Sequence, residues 1–551
     1  MYLKIFFLAL LYTHSLVAQE VYVNAPVGQF KGSTKYTYKT SKYYGFYSIR
    51  YGQAPVGALR FQAPVAVDSF SGTYDATTAN GVICYQVTSD SNSENEDCLF
   101  LNVYSPNPWT TAPMPVMFYI YGGGFNSGSA GGYDPGFFMD SQNVIVVTLN
   151  YRVGPFGFLS TGDGVIPGNA GLKDQLLALK WVQSNIAAFG GDPNQVTIFG
   201  QSAGAASVAY HLVSPQSAGL FKAAICGSGT ALNPWAYNKD QVEMTYGTAA
   251  VLNSQFQNSR DSSQLFSYLQ NIDARQLDAA SQTYSNSIST VANQQVQQAF
   301  FYAPVIETHN NNPFVTQLPY EAIANGSFNK VPLLIGTVAE EGLLLLNEYT
   351  TWILSQYDSD PSLLVPKGMH VADQNTLTTV GKLIKQEYSP NGDFQYNTLA
   401  GIQFQTEQDF QKSLIKHAYL QSAFTNVYFY LFSYSGQMGE NTVKLAGSGD
   451  VTHSEDLHYI WEWSNPTSYP QTDQTVHERL VKIYTNFALY QNPTPSQDSL
   501  LYVTWPTVQP NNFEYVEIGA ELSVKNDFKK ERYDFWNNLY QTYGVGPFEV
   551  F

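Results

Sequence analysis

Five short runs of Val, Ile, Phe and Tyr, each leading into a glycine-bearing turn, constrain this chain more than any other feature: Pro115 to Tyr121, Val144 to Leu149, Val196 to Phe199, Val331 to Ile335 and Val427 to Phe432. A strand that is apolar at consecutive positions, rather than alternate ones, belongs in a sheet covered on both faces. Between the second and third runs, Leu172, Leu176, Leu179, Val182, Ile186 and Phe189 recur at helical spacing, and Gly190-Gly191-Asp192-Pro193 stops that helix before the next strand. Strand, helix, strand in this order requires parallel crossovers, so the spacing predicts an α/β fold: a central, mostly parallel twisted sheet flanked by helices. Residues 233 to 325 are rich in Gln, Ser and Asn with weak helical periodicity, and no Pro- or Gly-rich linker flanks them, so they read as a helical insertion. Gln471 to Leu489 reads as a late packing helix through Leu480, Ile483, Phe487 and Leu489.

The third run, Val196 to Phe199, continues into Gly200-Gln201-Ser202-Ala203-Gly204. This is G-x-S-x-G at the end of a strand and the start of a helix. The glycines permit a tight turn that raises a serine hydroxyl above the sheet, and the helix amino end favours negative charge there. A nucleophilic serine needs a base, an acid that orients the base, and donors for an oxyanion. The donors are expected after the first run, in Tyr121-Gly122-Gly123-Gly124-Phe125, where glycines let backbone N–H groups approach a developing charge: Gly123 and Gly124, joined by Ala203. A phosphate-cradling loop is the other reading of these glycines, but no G-x-x-x-x-G-K-[ST] follows.

With the order serine, acid, histidine, the acid should end a later strand, and Val331 to Ile335 leads to Glu340 and Glu341; the turn context does not choose between them. Five histidines follow. His417 and His477 lie inside helical patterns, His370 has no strand leading to it, and His458 is expected to point elsewhere. His453 follows the strand Val427 to Phe432 through a loop containing Gly447 and Gly449, where a base is usually mounted. The site draws on both halves of the chain, so residues 19–551 read as one domain, although length alone suggests three or four. No metal or cofactor is called for by this set.

Met1 to Ala18 places Lys4 before the apolar stretch Ile5 to Tyr12 and the small-residue region Ser15 to Ala18, the layout of a secretory signal peptide over residues 1–18. Its apolar core is too short to span a bilayer, and no later segment offers about 20 apolar residues, so no membrane span is expected. In a secreted chain three cysteines leave one over. Cys84 and Cys98 bracket a polar stretch that suits a disulfide-closed loop, and Cys226 follows Ala223-Ala224-Ile225 as a buried thiol. Asn325-Gly326-Ser327 is a glycosylation acceptor pattern.

These residues resemble the type B carboxylesterase and cholinesterase family of α/β hydrolases, and Gln201 with Ala205-Ala206-Ser207-Val208 resembles secreted insect esterases, juvenile hormone esterases among them. The likeness runs from about Ala54 to Tyr543 and includes Pro55-Val56-Gly57-Ala58-Leu59-Arg60-Phe61, Glu96-Asp97-Cys98-Leu99-Phe100-Leu101-Asn102-Val103, Asn150-Tyr151-Arg152 and Phe189-Gly190-Gly191-Asp192-Pro193. The resemblance implies Glu341 as the acid, His453 as the base, a Cys84–Cys98 bridge and an ion pair between Arg60 and Glu96. It implies a serine carboxylesterase working through an acyl-enzyme, with juvenile hormone esterase-like and lipase-like hydrolases as alternatives. An adhesion relative would keep the fold and lose the serine, whereas Ser202, Glu341 and His453 are all present. In many relatives the residue before the serine is glutamate, yet here it is Gln201, and the Cys84–Cys98 stretch has no tryptophan to cradle a quaternary ammonium. The expected partner is a neutral small-molecule ester.

Charge narrows the partners further. With 27 Lys and Arg against 44 Asp and Glu, a net charge of −17, the chain lacks the cations that bind phosphate backbones or anionic membranes. Nucleic acid is not an expected partner, and the sequence carries no signal for an oligomeric state. So few basic residues also mean few trypsin-type cleavage points, which suits a protease-rich fluid such as a gut lumen.

Overall fold

The computed structural model describes residues 20–86, 93–288, 300–346 and 348–551; the signal peptide read over residues 1–18 lies outside them. Their centre is a 13-stranded sheet. Seven of its strands form a parallel block in the order Ile145–Leu149, Met114–Ile120, Gly191–Gln201, Ala223–Gly227, Leu333–Val338, Val427–Phe432 and Glu514–Ile518. The block is extended at one edge by the antiparallel strand Leu522–Asn526 and at the other by Phe100–Ser105, Lys42–Arg50, Gly28–Tyr36 and Glu20–Ala25. This is the layered α/β architecture that the apolar runs call for, and the α/β-hydrolase fold that the family resemblance implies.

Burial explains the two kinds of strand. Every residue of Ile145–Leu149, Ala223–Gly227 and Leu333–Val338 is buried, as a strand covered by helices on both faces demands. Glu20–Ala25 at the far edge alternates exposed and buried residues, with Val21 and Val23 turned inward. The helix Ala170–Asn185 crosses between parallel strands and ends, after a short 3-10 turn, at Gly190 with φ of 85°. The following strand starts at Gly191, earlier than its apolar run, because Gly191 pairs with Met114 across an irregularity before Val196 pairs with Val116.

The polar insertion is helical, with Gln241–Leu252, Ser262–Leu269, Ala274–Ile288 and Pro319–Ala324 among its described residues. The late helix spans Gln471–Tyr490. A second, smaller apolar cluster joins Leu354, Ile384 and Phe404 to Trp536 and Leu539 of the helix Lys530–Tyr543. Among the described residues no helix is long and apolar enough to cross a membrane.

Several of the sequence patterns singled out above carry polar or covalent contacts. Cys84 and Cys98 form a disulfide. Arg60 forks onto Glu96 at 2.6 and 2.5 Å and also donates to the carbonyls of Leu269 and Ile272. Arg152 forks onto the fully buried Asp174 at 2.8 and 2.7 Å and donates to the Gln62 carbonyl. Removing one partner from a buried pair strands the other charge, at a cost of about 3–5 kcal/mol, whereas an exposed pair contributes about 0–1 kcal/mol. Arg152→Met should therefore lower the thermal melting midpoint sharply, and Arg260→Met, which breaks an exposed pair with Glu243, should leave it nearly unchanged. Equal midpoints for the two variants would contradict this ranking.

Candidate active site

Ser202 ends the strand Gly191–Gln201 and caps the helix Ala203–Val213 with φ 58° and ψ −128°, a conformation that costs a non-glycine residue about 1–3 kcal/mol. The turn is held by its surroundings. The Ser202 N–H donates to the Gly227 carbonyl at 2.9 Å, and its own carbonyl accepts from Ala206 N–H at 2.9 Å. Gly204 packs so closely on the neighbouring strand that a Cβ there would lie 2.0 Å from the Ile120 carbonyl oxygen. A side chain at that position would lift the helix and lose the turn.

The loop that follows Ile120 lies beside the serine. A Cβ on Gly122 would come within 3.0 Å of Ser202 Cβ. Gly123 has φ of +104° and its carbonyl accepts from Asn126 and Ser127 N–H, which folds the loop back. Among the described residues the N–H groups of Gly123 and Gly124 donate to no protein acceptor. Free N–H groups on a rigid loop next to a hydroxyl are the requirement for binding an oxyanion.

Glu341 and His453 meet across the ends of two adjacent strands, Leu333–Val338 and Val427–Phe432. His453 Nδ1 is 2.5 Å from Glu341 Oε2, while the other carboxylate oxygen accepts from Thr337 Oγ1 at 2.7 Å and Val338 N–H at 3.1 Å. Glu341 is fully buried. Glu340, the alternative in the sequence, faces away from the imidazole: it accepts from Thr406 Oγ1 at 2.6 Å and from Gly449 N–H at 3.3 Å. Glu341 is therefore the glutamate bonded to the imidazole, and Glu340 ties the loop that carries His453 to a neighbouring helix.

The other histidines are occupied elsewhere. His417 is bonded to Thr230 and Gln421, and His477 to the Tyr459 carbonyl; burial pushes both down to about 4. His458 packs edge-on against Trp463, and His370 pairs with Glu549 at 2.8 Å.

Three features were not read from the sequence. An aromatic wall runs from the glycine loop through Phe125, Phe300, Trp235 and Phe410 to the His453 ring, with each neighbouring centroid pair 4.8–6.5 Å apart. Phe410 is placed by a π-helical turn, Glu407–Gln411, whose freed Asp409 carbonyl accepts from Trp235 Nε1 and Asn233 Nδ2 at 2.7 Å each. Asp456, three residues beyond His453, is buried with one carboxylate oxygen unpartnered, and burial together with nearby Glu341 pushes it up to about 7 while His453 opposes the shift. The neutral Gln201 places its amide nitrogen 3.2 Å from His453 Nε2.

Comparison with known proteins identifies the family. Residues 19–536 match the model of the carboxylesterase family. The chain belongs to that family. Its relatives include venom carboxylesterase-6 of Apis mellifera, 34% identical over 93% of this chain and 94% of the relative, and a carboxylic ester hydrolase of Bombus ignitus, 32% identical over 94% of each. A juvenile hormone esterase of Tribolium castaneum is 33% identical over 90% of this chain and 87% of the relative. This carboxylesterase is thus a member of a family of serine ester hydrolases, and its glycine loop is open to a direct test. A Cβ on Gly123 would stand 2.3 Å from the Ser127 carbonyl oxygen, so Gly123→Ala must reshape the loop. Turnover of 1-naphthyl acetate should fall by about 10²–10³-fold with the melting midpoint little changed. Wild-type turnover in that variant would remove Gly123 from the site.

Proposed function

We propose that the protein is a secreted serine carboxylesterase that hydrolyses neutral carboxylic esters through an acyl-enzyme. The observation that carries this reading is the Glu341–His453 pair beside the turn that holds Ser202. His453 Nε2 accepts the Ser202 hydroxyl proton as Oγ attacks the ester carbonyl carbon. The N–H groups of Gly123, Gly124 and Ala203 bind the oxyanion, and Glu341 stabilises the imidazolium. The C–O bond to the alcohol then breaks as Nε2–H protonates the leaving oxygen. Water enters, loses its proton to Nε2 and attacks the acyl-enzyme, and collapse of the second oxyanion returns the proton to Ser202 with release of the acid.

The choice of a neutral ester is supported by the uncharged surroundings: the aromatic wall, the amide of Gln201 and the glycine loop carry no formal charge. A hormone ester is a second reading, favoured by the juvenile hormone esterase among the relatives. Ser202→Ala should abolish 1-naphthyl acetate hydrolysis while leaving the protein folded, and an organophosphate should label the wild type at Ser202. An adduct on any other residue would refute the assignment. A panel of short soluble esters, juvenile hormone and emulsified triacylglycerol separates the general, hormone and lipase readings by relative kcat/KM.

Secretion is supported by the signal layout over residues 1–18 and by the Cys84–Cys98 bridge, which suits an oxidising compartment. Asn325 caps the exposed end of the helix Pro319–Ala324, where a glycan would meet no packing. A gut lumen is supported by the 27 Lys and Arg in 551 residues. The folded enzyme should keep its activity through prolonged incubation with trypsin; prompt loss would count against that location.

A further inference from the structure

The nitrogen that must take a proton from Ser202 is already engaged. Gln201 Nε2 lies 3.2 Å from His453 Nε2 and also donates to Ser454 Oγ at 2.8 Å. The short contact of Nδ1 with the Glu341 carboxylate puts the ring proton on Nδ1, so Nε2 offers a lone pair and the amide is the donor. Ser202 Oγ makes no hydrogen bond among the described residues, although it belongs to the adjacent position in the chain. Gln201 is buried, and its Oε1 is backed by Gly122, where a Cβ would approach it to 3.1 Å. The amide is thus fixed, not a surface group passing by.

We infer that Gln201 is a positioning residue that sets both the aim and the protonation of the base: its amide donates to His453 Nε2, a bond only the neutral imidazole can accept, and anchors the ring through Ser454. The inference rests on the reading of His453 as base and Ser202 as nucleophile. In the imidazolium, Nε2 carries a proton that faces the amide N–H, so protonation breaks this bond. A carboxylate at 201 would do the reverse, stabilising the imidazolium.

The remaining charged and titratable groups around the base do not supply this discrimination. Glu341 faces Nδ1 from the neighbouring strand, and Glu340 reaches only the histidine loop through Gly449. Glu455 and Asp456, on the turn that follows His453, are both pushed up to about 7 by burial, with Lys444 acting on Glu455. Burial keeps the phenols of Tyr119, Tyr430 and Tyr484 protonated, and Phe410 presents an uncharged ring. Among the described residues, Gln201 is the group in hydrogen-bond reach of Nε2.

The test is the pH dependence of kcat/KM on 1-naphthyl acetate for wild type, Gln201→Glu and Gln201→Met. The acid-limb midpoint should rise by about one unit or more in Gln201→Glu and by about half a unit in Gln201→Met. A merely structural role would lower the rate at every pH and leave the midpoints coincident, and coincident midpoints overturn the inference. If Gln201→Glu fails to fold, Gln201→Met decides alone. Repeating the pair in an Asp456→Asn background assigns the midpoint: an increment that persists belongs to His453, and one that vanishes belongs to Asp456 and overturns the inference. Hydrolysis surviving in Ser202→Ala would instead overturn the underlying site.

Discussion

The close approach of one helix to one strand underlies this molecule. The backbone of Gly204 lies against the carbonyls of Ile120 and Tyr121 at a distance that admits no side chain. That contact keeps the helix amino end low on the sheet, forces Ser202 into its rare backbone conformation, and puts the glycine loop immediately beside the hydroxyl. Ser202 and the glycine loop are thereby placed by the same packing. Their alignment does not depend on flexible side chains, and the strain at Ser202 is offset by the sheet on one side and the Gly227 bond on the other.

A second constraint joins distant parts of the chain. Glu340 and Glu341 are consecutive, yet their carboxylates serve different segments: one fixes the imidazole, the other binds Thr406 and the backbone of Gly449. The histidine loop is therefore gripped twice from one turn. A loop held at two points keeps its ring where a proton can pass, which an isolated ion pair on a mobile loop would not achieve.

Much of this was legible in the sequence, for a physical reason. Parallel strands are apolar throughout, so Val427–Phe432 appears at its true bounds, and the serine turn is marked by glycines that packing requires. Glu20–Arg50 was not legible, because Gly28–Tyr36 and Lys42–Arg50 carry no regular alternation of polar and apolar residues and contain Gly32 and Gly45, which weaken a strand pattern. The cluster around Phe404 and Trp536 was hidden because its members come from helices far apart in sequence. Spacing alone could not choose between Glu340 and Glu341, since adjacent residues on an irregular turn point in directions that only the folded chain defines; the family resemblance implied Glu341, and it is the Glu341 carboxylate that lies beside His453 Nδ1. The aromatic wall was invisible for a similar cause: Phe125, Trp235, Phe300 and Phe410 share no periodicity and meet only at the site.

The π-helical turn at Glu407–Gln411 gives that wall an unusual dependence. It interrupts an otherwise continuous helix from Thr398 to Ser422. Such a turn carries one residue more than an α-helical turn, and each residue of an α-helix advances the face by about 100°. The ring resting on His453 is consequently aimed by the number of residues in the chain and not only by their identity. Gain or loss of one residue there re-points the whole face of the helix while leaving its composition untouched. The shape of the surface around His453 can therefore change through insertion and deletion along a route closed to point substitution.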